Sequence, residues 1–463
     1  MLTQRSLRWR VVLFSCCLGL TSLLVQVGSP VFAQIPDQPT VTATHIMTPH
    51  DTIPRFCGNP TVVAQSNGSW SDPRTWSTNQ VPGLDARVSI PQNIQVTYNV
   101  DSEVEIKCIE VAELGELQWA TNQNTRLRVT HVQVLPNGTL SLGTTDNPIS
   151  ANHTAELIIR DEPLAVNGRD PRQYGNGLNV FGTMNVHGSP MERSHLRFSS
   201  EAHVGQSTLQ IEQAPIGWKS GDRLIIPDTR QIPFRKKQKY FSQAEEPTVL
   251  SLSGSTVTLS APLQFDHWGP RDADGEVGAI EQGMLPHVGN LTRNVIIRST
   301  RLAETSKTAY CMGAENVNNP SSCITRGHTL FLRRATVDIR YASFENLGRT
   351  TNDSLDNTVV DGSGNPTSIG LNQIGRYSIH MHRMMGPVNP SNSGYQYYLI
   401  GNVIEGMLKW GLAVHDTHYG LIKDNIAYDG QGAAITTEDG NESFNVFERN
   451  FVVHTKAGDE EQV

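Results

Sequence analysis

Three short segments of the 463-residue chain repeat one pattern: Leu399-Ile-Gly-Asn402-Val-Ile, Ile422-Lys-Asp-Asn425-Ile-Ala and Phe447-Glu-Arg-Asn450-Phe-Val, at intervals of 23 and 25 residues. A unit of this length holds only a few short strands and cannot bury its apolar side alone, so neighbouring units must stack. The pattern restricts this region to a parallel β-helix in which each coil lies on the one before it. Asparagine tolerates left-handed backbone and can satisfy buried amides at a tight corner, so Asn402, Asn425 and Asn450 are expected to form a hydrogen-bonded ladder. Composition agrees with an all-β chain: Gly 39 and Pro 25 disfavour long helices, while 37% hydrophobic and 18% charged residues are too apolar for disorder.

The N-terminal part reads differently. Arg5, Arg8 and Arg10 precede an apolar run from Val11 to Val27, and Val31-Phe32-Ala33 has the small-residue character of a cleavage site. Residues 1–33 are therefore expected to be a signal peptide and the protein to be secreted or held at the cell surface, with membrane contact only if this segment stays uncleaved. Residues 34–56, rich in Pro and Thr, read as a linker. From 57 to 160, alternating stretches such as Ala86-Arg-Val-Ser-Ile90 and Ile94-Gln-Val-Thr-Tyr98 are broken by Gly and Asn-Gly, which gives short strands buried on one side. Four cysteines lie beyond the export segment. An even number in an exported chain suggests two disulfides, most simply Cys57 with Cys108 and Cys311 with Cys323, each pair lying within one sequence neighbourhood.

Gly68-Ser-Trp70-Ser-Asp-Pro-Arg-Thr-Trp76, followed by Val81-Pro82-Gly83 and Val88-Ser-Ile90-Pro91, resembles the opening of the extracellular domain named for its eight glycines. That domain occurs in fibrocystin-like proteins and in the cell migration-inducing and hyaluronan-binding, or cell-surface hyaluronidase, group. Gly217-Trp-Lys-Ser-Gly221-Asp222 and His287-Val-Gly-Asn-Leu-Thr-Arg293-Asn294 resemble the segments that follow it in that group. The resemblance implies a small N-terminal β domain over 57–160, a β-rich connecting region over 161–286 and a right-handed parallel β-helix over 287–463. It also implies hydrolysis or binding of hyaluronan or a related acidic polysaccharide. Trp70 and Trp76 are expected to be core residues, since two indoles bury much area in a small β domain.

Register within the coils gathers the candidate chemistry. Residues at one place in successive coils lie roughly 4.8 Å apart. His415 follows Asn402 by 13 residues and Glu438 follows Asn425 by 13, so the two should stack. One coil earlier, His380 and His382 in Gly375-Arg376-Tyr377-Ser378-Ile379-His380-Met381-His382-Arg383 share a face if this is a strand. Removing the insertion around 386–395 brings His382 into register with His415. This column could hold a transition metal, because neutral imidazoles at strand spacing can share one ion; a divalent ion is a candidate cofactor of undetermined identity, with His380, His382 and His415 as ligands. It could instead perform acid–base work on a glycosidic bond, which commonly needs two carboxylates; Glu438 with Asp439, Asp416 or Asp424 supplies candidates, although adjacent strand residues such as Glu438 and Asp439 should face opposite ways. A third possibility is a satisfied polar stack that only fixes register.

Catalytic candidates are therefore His380, His382, His415, Glu438 and Asp439. Arg376, Tyr377, Arg383 and Lys423 are candidates for contacting substrate, the cations pairing with sugar carboxylates. Asp272-Ala-Asp274-Gly275-Glu276 reads as a solvated acidic loop and Arg235-Lys236-Lys237-Gln-Lys239-Tyr240 as a basic one, the latter also the best single patch for a polyanion. No phosphate-cradling glycine loop or serine nucleophile elbow occurs, and a net charge of -8 disfavours nucleic acid. The sequence leaves two readings: a secreted polysaccharide hydrolase, or an adhesion or binding protein without catalysis.

Overall fold

The computed structural model describes residues 38–230, 241–271, 284–387 and 394–456. The export segment, the basic run Arg235–Tyr240, the acidic loop 272–276 and the last seven residues lie outside these. Two long sheets of 15 and nine strands dominate, joined by parallel pairing throughout. The larger sheet folds around a corner, because its longest strands serve two directions. Thr125–Val129 pairs with Ala155–Ile159, whereas His131–Val134 pairs with Gly177–Val180. Each coil thus has three walls, two from the large sheet and one from the small.

The repeat signal resides in the last coils, yet parallel stacking begins far earlier. Strands of the N-terminal β domain, such as Arg87–Ile90 and Glu116–Trp119, pair within the same two sheets as the later coils. One apolar cluster runs from Val62 to Ala434. Trp70 and Trp76 lie near its start, in edge contact with ring centroids 4.8 Å apart, with Trp76 Nε1 donating to the Trp70 carbonyl. The asparagine ladder closes the corner where each coil passes from the nine-stranded sheet, at Tyr397–Ile400 and Gly420–Lys423, to the larger one, at Val403–Glu405 and Ile426–Gln431. Asn425 accepts from the backbone and side-chain amides of Asn402, each at 3.0 Å, and donates to Asn450 Oδ1 at 2.9 Å and to the Leu399 carbonyl at 2.8 Å. Gly420 marks a different constraint: a Cβ there would lie 1.9 Å from Cζ of Tyr397 in the neighbouring coil.

Two additions cover the coils. Between Thr183–His187 and Val295–Ser299 the chain forms small antiparallel sheets with their own apolar cluster around Phe198, Trp218 and Val257. The second lies within the stretch 34–56 expected as a linker, whose described residues, from 38 onward, include three short strands. Thr40–Val41, His45–Met47 and Thr52–Pro54 form an antiparallel three-stranded strap. It is fastened by a Cys57–Cys108 disulfide and by Arg55, which forks onto Glu110 with two 2.6 Å bonds. Strands of two and three residues are too short to show periodicity, which is why the sequence reads as irregular. Cys311 and Cys323 are joined as well. Among the described residues no helix is long and apolar enough to cross a membrane.

Candidate functional site

The strap lies on the outer face of the first wall, formed in its later part by His328–Leu332, Ile379–His382, Leu412–His415 and Ile435–Thr437. Phe331, Met381 and Val414 alternate into the main core, while Leu330 and Leu332 pack outside it against Ile46 and Ile53 of the strap. His380 and His382 sit in register with those two leucines and share their face. His382 pairs with His415, and the Glu438 amide bonds the Val414 carbonyl, which continues the same register. The structure thus brings His380, His382, His415 and Glu438 together. They line a cavity of about 90 Å³ with Asp51, Tyr174, Gln373, Gly375 and Arg376.

Each imidazole has one nitrogen tied to an acceptor. His380 Nδ1 donates to the Gly375 carbonyl at 2.9 Å; Gly375 adopts a left-handed φ of +80°, and a Cβ there would come within 3.1 Å of His380 Cε1. His382 Nε2 faces Asp51 Oδ2 at 3.2 Å. His415 Nε2 faces Asp439 at 3.0 Å and Asp416 at 3.4 Å. Because a carbonyl or carboxylate only accepts, these nitrogens carry hydrogens, and in the neutral form of each ring the opposite nitrogen, which points inward, is a lone pair. His382 Nδ1 and His415 Nδ1 are 3.0 Å apart. His380 is 2% exposed and its Nε2 has no hydrogen-bond partner.

Electrostatics separates the two carboxyls of this cavity. Burial pushes Glu438 above its ordinary range, and the charge of Asp439 adds to this against the opposing pull of His415 and Lys409. Its Oε2 is buried without a partner. Asp51 is also raised by burial, but hydrogen bonds and charge from His382, with bonds from Tyr174 and Thr48, outweigh this and hold it well below the carboxylate range. Burial lowers His380 and His382, in His382 against the raising pull of Asp51.

The remaining expected residues divide. Asp439 does reach His415 beside Glu438, because the strand ends at Thr437 and the chain then turns, so the alternation rule no longer applies. Tyr377 is buried, its ring 5.0 Å from His380 and 4.7 Å from Trp410. Arg383 pairs with Asp416 at 3.3 Å at the edge of the site. Arg376 lines the cavity with its donors already committed. It is 5% exposed, spends its donors on the carbonyls of Gln173, Ile374 and Arg172, and lies over the Tyr174 ring at 4.2 Å. Tyr174 in turn donates to Asp51 at 3.0 Å, so Arg376 supports the site from behind. Lys423 is on the wall supplied by the nine-stranded sheet, paired with Glu448 at 3.2 Å, and Asp424 is held by Arg449.

Sequence reasoning missed Asp51, Tyr174, Lys409 and Trp410. Asp51 had only a turn signature, Thr48-Pro-His-Asp, in which Thr48 Oγ1 accepts the Asp51 amide at 2.8 Å. Lys409 stacks on Trp410 at 5.0 Å, an adjacent basic–aromatic pair visible in sequence just before Gly411. Among the described residues, two sets could share a cation: His380, His382 and His415, with one nitrogen of each within 4.8 Å of the others, and His415 with Asp416 and Asp439.

Comparison with known proteins places this geometry in context. The G8 domain model matches residues 75–199 and the CEMIP beta-helix model residues 365–462. Fibrocystin-L of Mus musculus is 27% identical over 359 residues, covering 71% of this chain and 7% of that protein. Cell surface hyaluronidase CEMIP2 of Homo sapiens is 28% identical over 250 residues, covering 52% of this chain and 15% of that protein. The chain spans less than a tenth of its fibrocystin-L relatives. A tailspike of Acinetobacter baumannii bacteriophage AP22, solved with a capsular saccharide, is 13% identical, covers 77% of this chain and 45% of its own, and has a TM-score of 0.17, too low to carry an argument. The chain carries a G8 domain ahead of a CEMIP beta-helix segment and is a homologue of the fibrocystin-like and cell-surface hyaluronidase proteins.

Proposed function

We propose that the chain is an extracellular glycan-active protein that hydrolyses an acidic polysaccharide of the hyaluronan type across the mouth of the first-wall cavity. The observation that carries this is the opposite treatment of two carboxyls lining one cavity, Glu438 raised and Asp51 lowered. Environments that push neighbouring carboxyls apart assign an acid and an anion to one site. Glu438 protonates the leaving glycosidic oxygen as the anomeric C–O bond breaks. A water in the cavity bonds to the anomeric carbon as the C–O bond breaks and passes its proton to the Asp51 carboxylate, which lines the same cavity. A cavity of about 90 Å³ takes a few waters, so the sugar lies over its mouth, with the reacting bond toward Glu438.

Lys409, whose charge acts on Glu438, and Arg383 are the cations placed to meet sugar carboxylates. The two disulfides suit an oxidising compartment, and a relative named as a cell surface hyaluronidase supports both location and substrate. The test is to incubate the purified chain with size-defined hyaluronan and, in parallel, with neutral dextran, following polymer length by gel or light scattering. Hyaluronan is expected to shorten and dextran to stay intact. Retained hyaluronan binding at constant polymer length would make the protein a binding module instead.

A further inference from the structure

We propose that the inward nitrogens of His380, His382 and His415 bind one divalent transition-metal ion of the zinc type. This deepens the hydrolytic reading by naming what organises its water, and it rests on that reading only in using the same atoms.

Three geometric facts carry it. First, every imidazole has its outer N–H committed, to the Gly375 carbonyl, to Asp51 and to Asp439. A histidine ligand is normally held in this way, since an outer acceptor fixes the tautomer and turns the other nitrogen to the ion. Second, His382 Nδ1 and His415 Nδ1 face each other at 3.0 Å. With both outer nitrogens acting as donors, two lone pairs at that distance repel unless something positive lies between them. Third, His380 Nε2 is buried without a hydrogen-bond partner. A shared proton would satisfy the His382–His415 pair and leave His380 Nε2 bare. A metal ion uses all three.

The donor chemistry selects the class. Nitrogen-rich sites suit zinc, copper, nickel or ferrous ions, whereas calcium and magnesium require oxygen ligands. Tetrahedral zinc places its nitrogen ligands roughly 3.3 Å apart, and one nitrogen of each histidine already lies within 4.8 Å of the others, so ring rotation suffices. Glu438 Oε2, buried, unpartnered and 3.8 Å from His415 Nδ1, lies where it can accept from a water on the fourth position.

The test uses chelator-treated, folded protein and reads metal directly. Titration with Co²⁺ should give visible d–d absorption saturating at one equivalent and displaced by Zn²⁺, with a rise in Tm on zinc addition. Ca²⁺ and Mg²⁺ should do neither. Asp51→Asn, which weakens the outer hold on His382, should lower zinc affinity by about 10- to 100-fold with the circular dichroism unchanged, and His380→Ala should lower it further. Absence of saturable Co²⁺ or Zn²⁺ binding by folded wild-type protein would overturn the proposal, as would affinity unchanged in Asp51→Asn; the latter variant decides the matter if His380→Ala fails to fold. Polysaccharide cleavage by folded protein that shows no saturable Co²⁺ or Zn²⁺ binding would refute the metal and leave the hydrolase, whereas one-equivalent binding without cleavage would refute the hydrolase and leave the metal.

Discussion

At the scale of single residues, the two carboxyls of the site act on the fold in opposite senses, Glu438 at a cost and Asp51 with a gain, and this sets two opposite pH dependences. Glu438 has its carboxyl raised above the ordinary 4.5 by burial. Its protonated form is favoured by folding, so the contribution is fully present below about that value and is lost as pH rises through the higher folded value. Glu438→Gln should therefore be at least as stable as the wild type at pH 7, with the advantage vanishing near pH 4, as measured by urea denaturation across pH. Asp51 is held below its ordinary 3.8. Its contribution is present above that value and is lost as pH falls toward the depressed folded value. Asp51→Asn should destabilise the chain at pH 7 by about 1–3 kcal/mol, since a buried charge-assisted bond is weakened, and the gap should narrow below pH 4.

At the scale of elements, the asparagine ladder replaces strand length as the source of order. Asn425 serves both neighbouring coils, so Asn425→Ala leaves several buried backbone and side-chain groups unpaired and should cost on the order of 3 kcal/mol, read as a lowered urea midpoint. Gly420→Ala should also destabilise, because the Tyr397 ring occupies the space of the new methyl. These features show why part of the fold is legible in sequence. The last coils follow one another with little intervening chain, so Asn402, Asn425 and Asn450 keep a visible spacing, and the same spacing places His415 over Glu438. Earlier coils are separated by long insertions, such as the one between His187 and Val295 whose described residues form the small antiparallel sheets, so their stacking with the N-terminal β domain leaves no repeat to read. Asp51 is 331 residues from the histidine it touches, and no local pattern encodes a contact of that separation.

At the scale of the whole molecule, the strap, the helix wall and the segment carrying Tyr174 and Arg376 meet at one cavity. Arg376 braces Tyr174, Tyr174 and Thr48 hold Asp51, and Asp51 orients His382. The Cys57–Cys108 disulfide ties the strap to the wall across 51 residues of chain. Cys57→Ser paired with Cys108→Ser should lower stability by about 2–4 kcal/mol and reduce turnover more than substrate binding, because it loosens Asp51 without touching the mouth where Lys409 and Arg383 lie. The central claim, that this cavity cleaves a glycosidic bond with Glu438 as its acid, is tested most directly by the initial rate of hyaluronan shortening in wild-type and Glu438→Gln proteins of matched circular dichroism. A loss of roughly 100-fold or more is expected from removing a general acid; equal rates in the two proteins, or no shortening by either, would contradict it.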